Sequence, residues 1–146
     1  MKKFQFSLQK VLDVACAKER LALEDFAKAQ DLVANQKALI KGFKADYDKT
    51  RFDFFPIDLL LEKNRQSYLQ VLQVQIKKAT KKLNELQSDL HSKRVILVET
   101  MKNRKLLEKL KEKAVDRHKK AEEHEEQLFL DEIGVIGFAR KEGEEK

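Results

Sequence analysis

The sequence predicts an all-α fold: a long antiparallel two-helix coiled-coil hairpin, its second helix longer than the first and overhanging it. Three observations predict this. Charged residues make up 38% of the 146 positions, against only four Gly and one Pro. A composition rich in Ala, Glu, Lys, Leu and Arg, with so few turn formers, belongs to long helices. Apolar residues recur at helical spacing in two stretches, and the one proline falls between them.

The first stretch runs through Phe4, Leu8, Val11, Ala15, Lys18, Ala22, Phe26, Ala29, Val33, Gln36, Ile40, Phe43 and Tyr47. Steps of three and four put these residues on one face of a helix. The mean step is closer to 3.6 than to 3.5, which predicts gentle supercoiling. Helix 1 is expected over about 3–51. Cys16, the only cysteine, rules out an internal disulfide and reads as a small packing residue.

The pattern stops in "DYDKTRFDFFPIDLLLEK". Pro56 cannot sit inside a helix without losing a hydrogen bond, but it suits a first helical position, with Asp58 following in the first turn. The turn is therefore expected over 52–56, and helix 2 from about 57. Phe52, Phe54 and Phe55 would either cap the seam or form an exposed tip. The second seam is Leu61, Tyr68, Leu72, Ile76, Ala79, Leu83, Leu86, Leu90, Leu97 and Met101. A short connection makes the helices antiparallel. With the turn centred near residue 54, Phe4 should lie beside a position near 104, where the second stripe also fades.

Beyond that point "RKLLEKLKEKAVDRHKKAEEHEEQ" still reads as helix but has hardly any apolar face. A helix polar on nearly all sides is unstable alone unless it bridges bodies or awaits a partner. Local pairs expected to hold it are Asp116 with Lys120, Lys119 with Glu123, and Glu108 with Lys111, at about 0.2–0.5 kcal/mol each. Gly134 and Gly137 are expected to end helix 2 near 133. The reading is thus a single hairpin over 1–133 and a flexible C-terminal tail over 134–146.

No catalytic, cofactor or metal site is visible. His118 and His124 are six apart, which points them about 120° away from a common direction on a helix, and His91 reads as a seam-edge residue. There is no glycine-rich phosphate loop, nucleophile elbow or cysteine pair, and a slender hairpin offers no cleft to shift a carboxylate's pKa. An enzyme and a small-molecule substrate are therefore not expected. "KNRKLLEKLKEKAVDRHKK" carries nine basic residues and three acidic ones. Yet no aromatic residue lies between Tyr68 and Phe129 to stack on bases, and four glutamates follow at once. That charge pattern suits a protein socket better than nucleic acid. The N-terminus lacks a continuous apolar signal core, and no stretch approaches the roughly 18 apolar residues of a membrane span.

The motifs "FQFSLQKVLDVA", "KERLALEDFAKAQ", "SYLQVLQVQI", "RKLLEKLKEK" and "EEQLFLDE", in this order, resemble the FliJ family, the coiled-coil component of the bacterial flagellar type III export apparatus. The resemblance runs nearly end to end. It implies a non-enzymatic, cytoplasmic stalk, peripheral at the cytoplasmic face of the inner membrane. Such a stalk would bind within the export ATPase ring and couple it to the cytoplasmic domain of the membrane export gate. Export chaperones for late substrates are further implied partners.

The family's gate-binding pattern, carried over by spacing, falls on Gln36, Ile40, Phe43 and Tyr47 of the first arm and Tyr68 and Leu72 of the second. The same residues could instead be seam. Lys109, Lys113 and Arg117 are the expected contacts to the ATPase ring. A holdase-type coiled-coil chaperone, a stalk subunit of another rotary ATPase and a nucleic-acid-binding arm are the alternative readings.

Overall fold

A computed structural model describes residues 3–52 and 58–145. Two helices account for nearly all of them, α1 (Gln9–Phe52, 44 residues) and the longer α2 (Leu59–Glu145, 87 residues), packed against each other. The expected position of Pro56 and the roles weighed for Phe54 and Phe55 lie outside the described residues. Phe52 itself is 75% exposed, with the Arg51 guanidinium 5.8 Å from its ring centre, so it does not cap the seam.

The chain divides into two compact units, Lys18–Met101 and Met1–Ala17 with Lys102–Lys146. In the first unit the less exposed positions of α1 are Glu19, Ala22, Phe26, Ala29, Val33, Gln36, Ile40, Phe43, Tyr47 and Thr50. On α2 they begin with Glu62, Arg65, Leu69, Leu72, Ile76 and Ala79 and continue with the same alternation to Thr100. Both series step strictly by three and four, which is a 3.5-residue repeat and the pattern of a left-handed coiled coil. The expected 3.6 mean step is thereby corrected. It came from including Lys18 and the N-terminal Leu8 and Val11, which are exposed, while the seam uses Glu19 and Leu12. Leu61 and Tyr68 are likewise exposed, and Leu69 takes the seam position instead.

A two-helix seam makes a thin core. Leu72, 2% exposed, is its most buried side chain, and Ala22 and Ala29 fill one heptad position with small residues that let the backbones approach. Gln36 is the buried polar member, and its Nε2 donates to the Ala79 carbonyl at 2.9 Å. This contact sets residue 36 against residue 79, not against a position near 72 as a turn centred on 54 requires.

At the loop end of this unit Asp58 caps α2, its Oδ1 accepting from the Leu60 amide at 3.1 Å. That is an N-cap rather than the first-turn position expected for it. Arg65 then donates to the carbonyls of Thr50 (3.2 Å) and Arg51 (3.1 Å), the orphan acceptors of the last turn of α1. Its guanidinium also pairs with Glu62 at 2.7 Å. The Arg65 hydrogen bond, followed by one from Gln66, holds the Glu62 carboxyl below its ordinary range.

In the second unit, α1 begins only at Gln9, whose amide donates to the Phe6 carbonyl at 3.1 Å. The lead before it, expected to be helical from about residue 3, is not helical. Extended chain advances about 3.3 Å per residue against 1.5 Å in a helix. The lead therefore reaches farther along α2 than a helix could. The Phe4 ring lies 5.5 Å from that of His118, not beside residue 104. Along this stretch Arg104, Leu107, Glu108, Lys111, Ala114, His118 and Glu122 are half-buried, and Lys111, His118 and Glu122 line hollows together with the lead. The stretch read as bare from residue 104 is thus covered along one side as far as Glu122.

From Glu123 to Glu144 every residue is exposed. The expected end of helix 2 at 133, with a loose tail over 134–146, is replaced by helix through Glu145. Glycine ends a helix by adopting positive φ, and no glycine among the described residues does so. Cys16, read as a packing residue, is exposed because the seam passes through Ala15 and Glu19 on either side of it.

Candidate partner-binding surfaces

The six residues matched to a gate-binding pattern divide by burial. Gln36 and Ile40 (each 7% exposed) and Leu72 are seam, and Gln36 is tied to the opposite backbone. Phe43 and Tyr47 are half-buried. The Tyr47 hydroxyl accepts a hydrogen bond from Gln73 Nε2 at 3.1 Å, at the margin of the seam. Tyr68 alone of the six stands out, 48% exposed. It lines a shallow groove with Asp46, Lys49, Thr50 and Arg65. The neighbouring Val71 and Val74 are also half exposed, so the accessible apolar surface at the loop end lies on α2 around Tyr68. Spacing had put Tyr68 in the seam, and the pattern carried over from the family groups it with three residues that no partner can reach without parting the helices.

Lys109, Lys113 and Arg117, spaced four apart, are all exposed on one side of α2. The local pairs differ from those expected. Glu108 pairs back to Arg104 at 2.8 Å rather than forward to Lys111. His118, read as solvated, packs against Phe4 and lies 3.1 Å from Glu122. His91 is exposed, outside the seam edge. Among the described residues no group of three His, Cys, Asp or Glu could hold a metal ion.

The surface that spacing missed is "LFLDEIGVIGF", residues 128–138. Leu128, Phe129, Leu130, Ile133, Val135, Ile136 and Phe138 are each 50–69% exposed. At 100° per residue, Phe129, Ile133 and Ile136 share one side, Leu128 and Val135 a second, and Leu130 and Phe138 two further directions. A helix apolar on all sides belongs in a buried setting. Just ahead of it stands a collar of glutamates at 122, 123, 125 and 126. The signal was legible in composition, but reading Gly134 and Gly137 as a helix end dissolved it into a tail.

Two long helices packed against each other, with charged flanks and exposed apolar side chains, define a coiled-coil protein. The sequence places it more narrowly. The family model for the flagellar FliJ protein matches residues 4–143, and the chain belongs to the FliJ family, a component of the flagellar export apparatus. No curated protein and no solved structure matches it. No helix among the described residues is long and apolar enough to cross a membrane.

Proposed function

We propose that this chain is the stalk of the flagellar export ATPase, its terminal unit held within the ATPase ring and its loop end turned to the cytoplasmic domain of the export gate. The observation that carries the proposal is the end of α2. Residues 128–138 expose seven large apolar side chains in every direction around one helix. A flat or grooved partner would cover one side of such a helix, whereas the central channel of a ring covers all of it. The acidic collar at 122–126 and the basic row at Lys109, Lys113 and Arg117 would then meet complementary charge along the channel, fixing depth and register. Export chaperones remain additional partners in this reading, and the place of action is the cytoplasmic face of the inner membrane.

The test is hydrolysis by the purified export ATPase with and without this protein. Substituting Phe129→Glu together with Ile136→Glu should weaken stimulation at least about tenfold, the scale of hot-spot loss. It should leave thermal unfolding unchanged, because neither side chain touches the rest of the fold. The triple change Lys109→Glu, Lys113→Glu, Arg117→Glu should abolish stimulation as well. Full stimulation by both variants would refute the ring placement.

At the loop end, Tyr68→Ala should lower affinity for the gate's cytoplasmic domain with no loss of stability. Phe43→Ala with Tyr47→Ala should lower it too, at a cost below the 3–5 kcal/mol per residue of fully buried aromatics.

A further inference from the structure

The helix pair leaves a second row on α1, half of it aliphatic, distinct from the seam that holds it to α2. It runs Val11, Val14, Lys18, Leu21, Asp25, Lys28, Leu32, Asn35, Leu39 and Gly42, each one residue before a seam position and so about 100° around the helix. All ten are exposed, and Val14 (53%), Leu21 (61%), Leu32 (51%) and Leu39 (49%) are large aliphatics facing solvent. Because the row keeps the three-and-four alternation of the seam, it holds a constant angle to it along the helix. It therefore offers a continuous surface to one further helix.

The order of residues says which helix. Read from either end about a point between Phe26 and Ala27, the row matches itself. Leu21 falls opposite Leu32 and Val14 opposite Leu39. Lys18 falls opposite Asn35, an ammonium donor facing an amide oxygen that can accept from it. Val11 meets Gly42, where a Cβ would find nothing within 4 Å. At the centre Asp25 falls opposite Lys28, twice over, with opposite sign each time. Neither residue has an ion-pair partner among the described residues. Self-complementarity of this kind, in which residue i meets j and j meets i, is what a two-fold interface between identical chains requires.

We infer that α1 pairs antiparallel with α1 of a second copy of this chain through the Val11–Gly42 row. Ten residues a side is fewer than the roughly 20–30 of a standard interface, which places this one among weak associations burying under about 1,200 Å². The dimer is accordingly an exchanging species, populated at high local concentration and released when one copy is taken up elsewhere. The inference is separable from the stalk proposal, since the row shares no side chain with the contacts named for the ring or the gate, and all of it but Val11 and Val14 lies outside the terminal unit placed in the ring.

The test is sedimentation of the full chain across a range of concentrations at low salt, under reducing conditions so that the exposed Cys16 cannot cross-link copies. The wild-type protein should shift from monomer to dimer with concentration. Asp25→Lys and Lys28→Asp should each weaken the dimer by about tenfold or more, since each turns two attractive pairs into two repulsive ones. Lys28→Asp is the sharper of the two. It lowers the net charge from +6 and so relieves general repulsion between copies, yet it should still weaken pairing. The double change Asp25→Lys with Lys28→Asp restores both pairs and should regain wild-type association, with circular dichroism confirming equal helicity throughout. A wild-type protein that stays monomeric, single reversals without effect, or a double change that fails to regain pairing would each overturn the inference.

Discussion

Gln36 is the residue on which the pairing of α1 with α2 turns. A buried amide inside a narrow apolar seam is tolerated only with a partner, and here the partner is the backbone carbonyl of Ala79, reached across a position kept small. A polar seam residue of this kind fixes register at some cost in stability. Gln36→Leu should change unfolding free energy by only about 1 kcal/mol but broaden the ensemble of pairings, visible as lost dispersion of backbone amide signals around Ala79. Gln36→Ala should destabilise more, because the seam loses volume as well as the bond.

Glu62 belongs to the same scale. Its pKa lies below the ordinary 4.5 because Arg65 and Gln66 hydrogen-bond its charged form. A depressed carboxyl contributes stability that is complete above 4.5 and lost as pH falls through its folded value. Protection factors of amides at the start of α2, which discount the slowing of intrinsic exchange in acid, should fall as acid is added through that window, and Glu62→Gln should remove this dependence.

At the scale of the element, α1 and α2 were legible where nearly every seam position carries an apolar residue, Gln36 and Lys93 being the polar exceptions. From Ala22 to Tyr47, and from Leu72 to Leu97, the apolar residues chosen by spacing are the ones the seam uses. Spacing failed where two registers compete. "LQKVLDVA" offers both Leu8–Val11 and Leu12–Ala15, and only contact with α2 selects the second. "SYLQ" offers Tyr68 or Leu69, and the 3.5-residue repeat takes Leu69. The N-terminal lead was illegible for another reason, since Phe4 fits the helical stripe of Leu8 and Ala15 as well as it fits an extended lead along α2.

Glycine misled at the other end. Gly134 and Gly137 sit inside α2 with open space where a Cβ would be. Gly134→Ala and Gly137→Ala should each stabilise the helix by up to about 1 kcal/mol, seen as raised helicity by circular dichroism. Had they been capping glycines with positive φ, the same changes would lower it.

At the scale of the whole molecule, the sequence placed the chain in its family and class but did not mark out the exposed apolar surface at 128–138 on which the proposed function rests. The partner-facing residues carried over by spacing were mostly seam, because a coiled coil repeats the same residue types inside and out. The all-round apolar helix at 128–138 stands out only once the helix is known to continue through its glycines. The account therefore rests on residues 123–144 being uncovered in the free protein and enclosed in the export apparatus. Hydrogen exchange over this segment, with the export ATPase ring absent and then present, measures both halves at once. The account predicts rapid exchange in the free protein and strong protection throughout 123–144 when the ring is added. Protection already present in the free protein, or rapid exchange persisting in the complex, would contradict it.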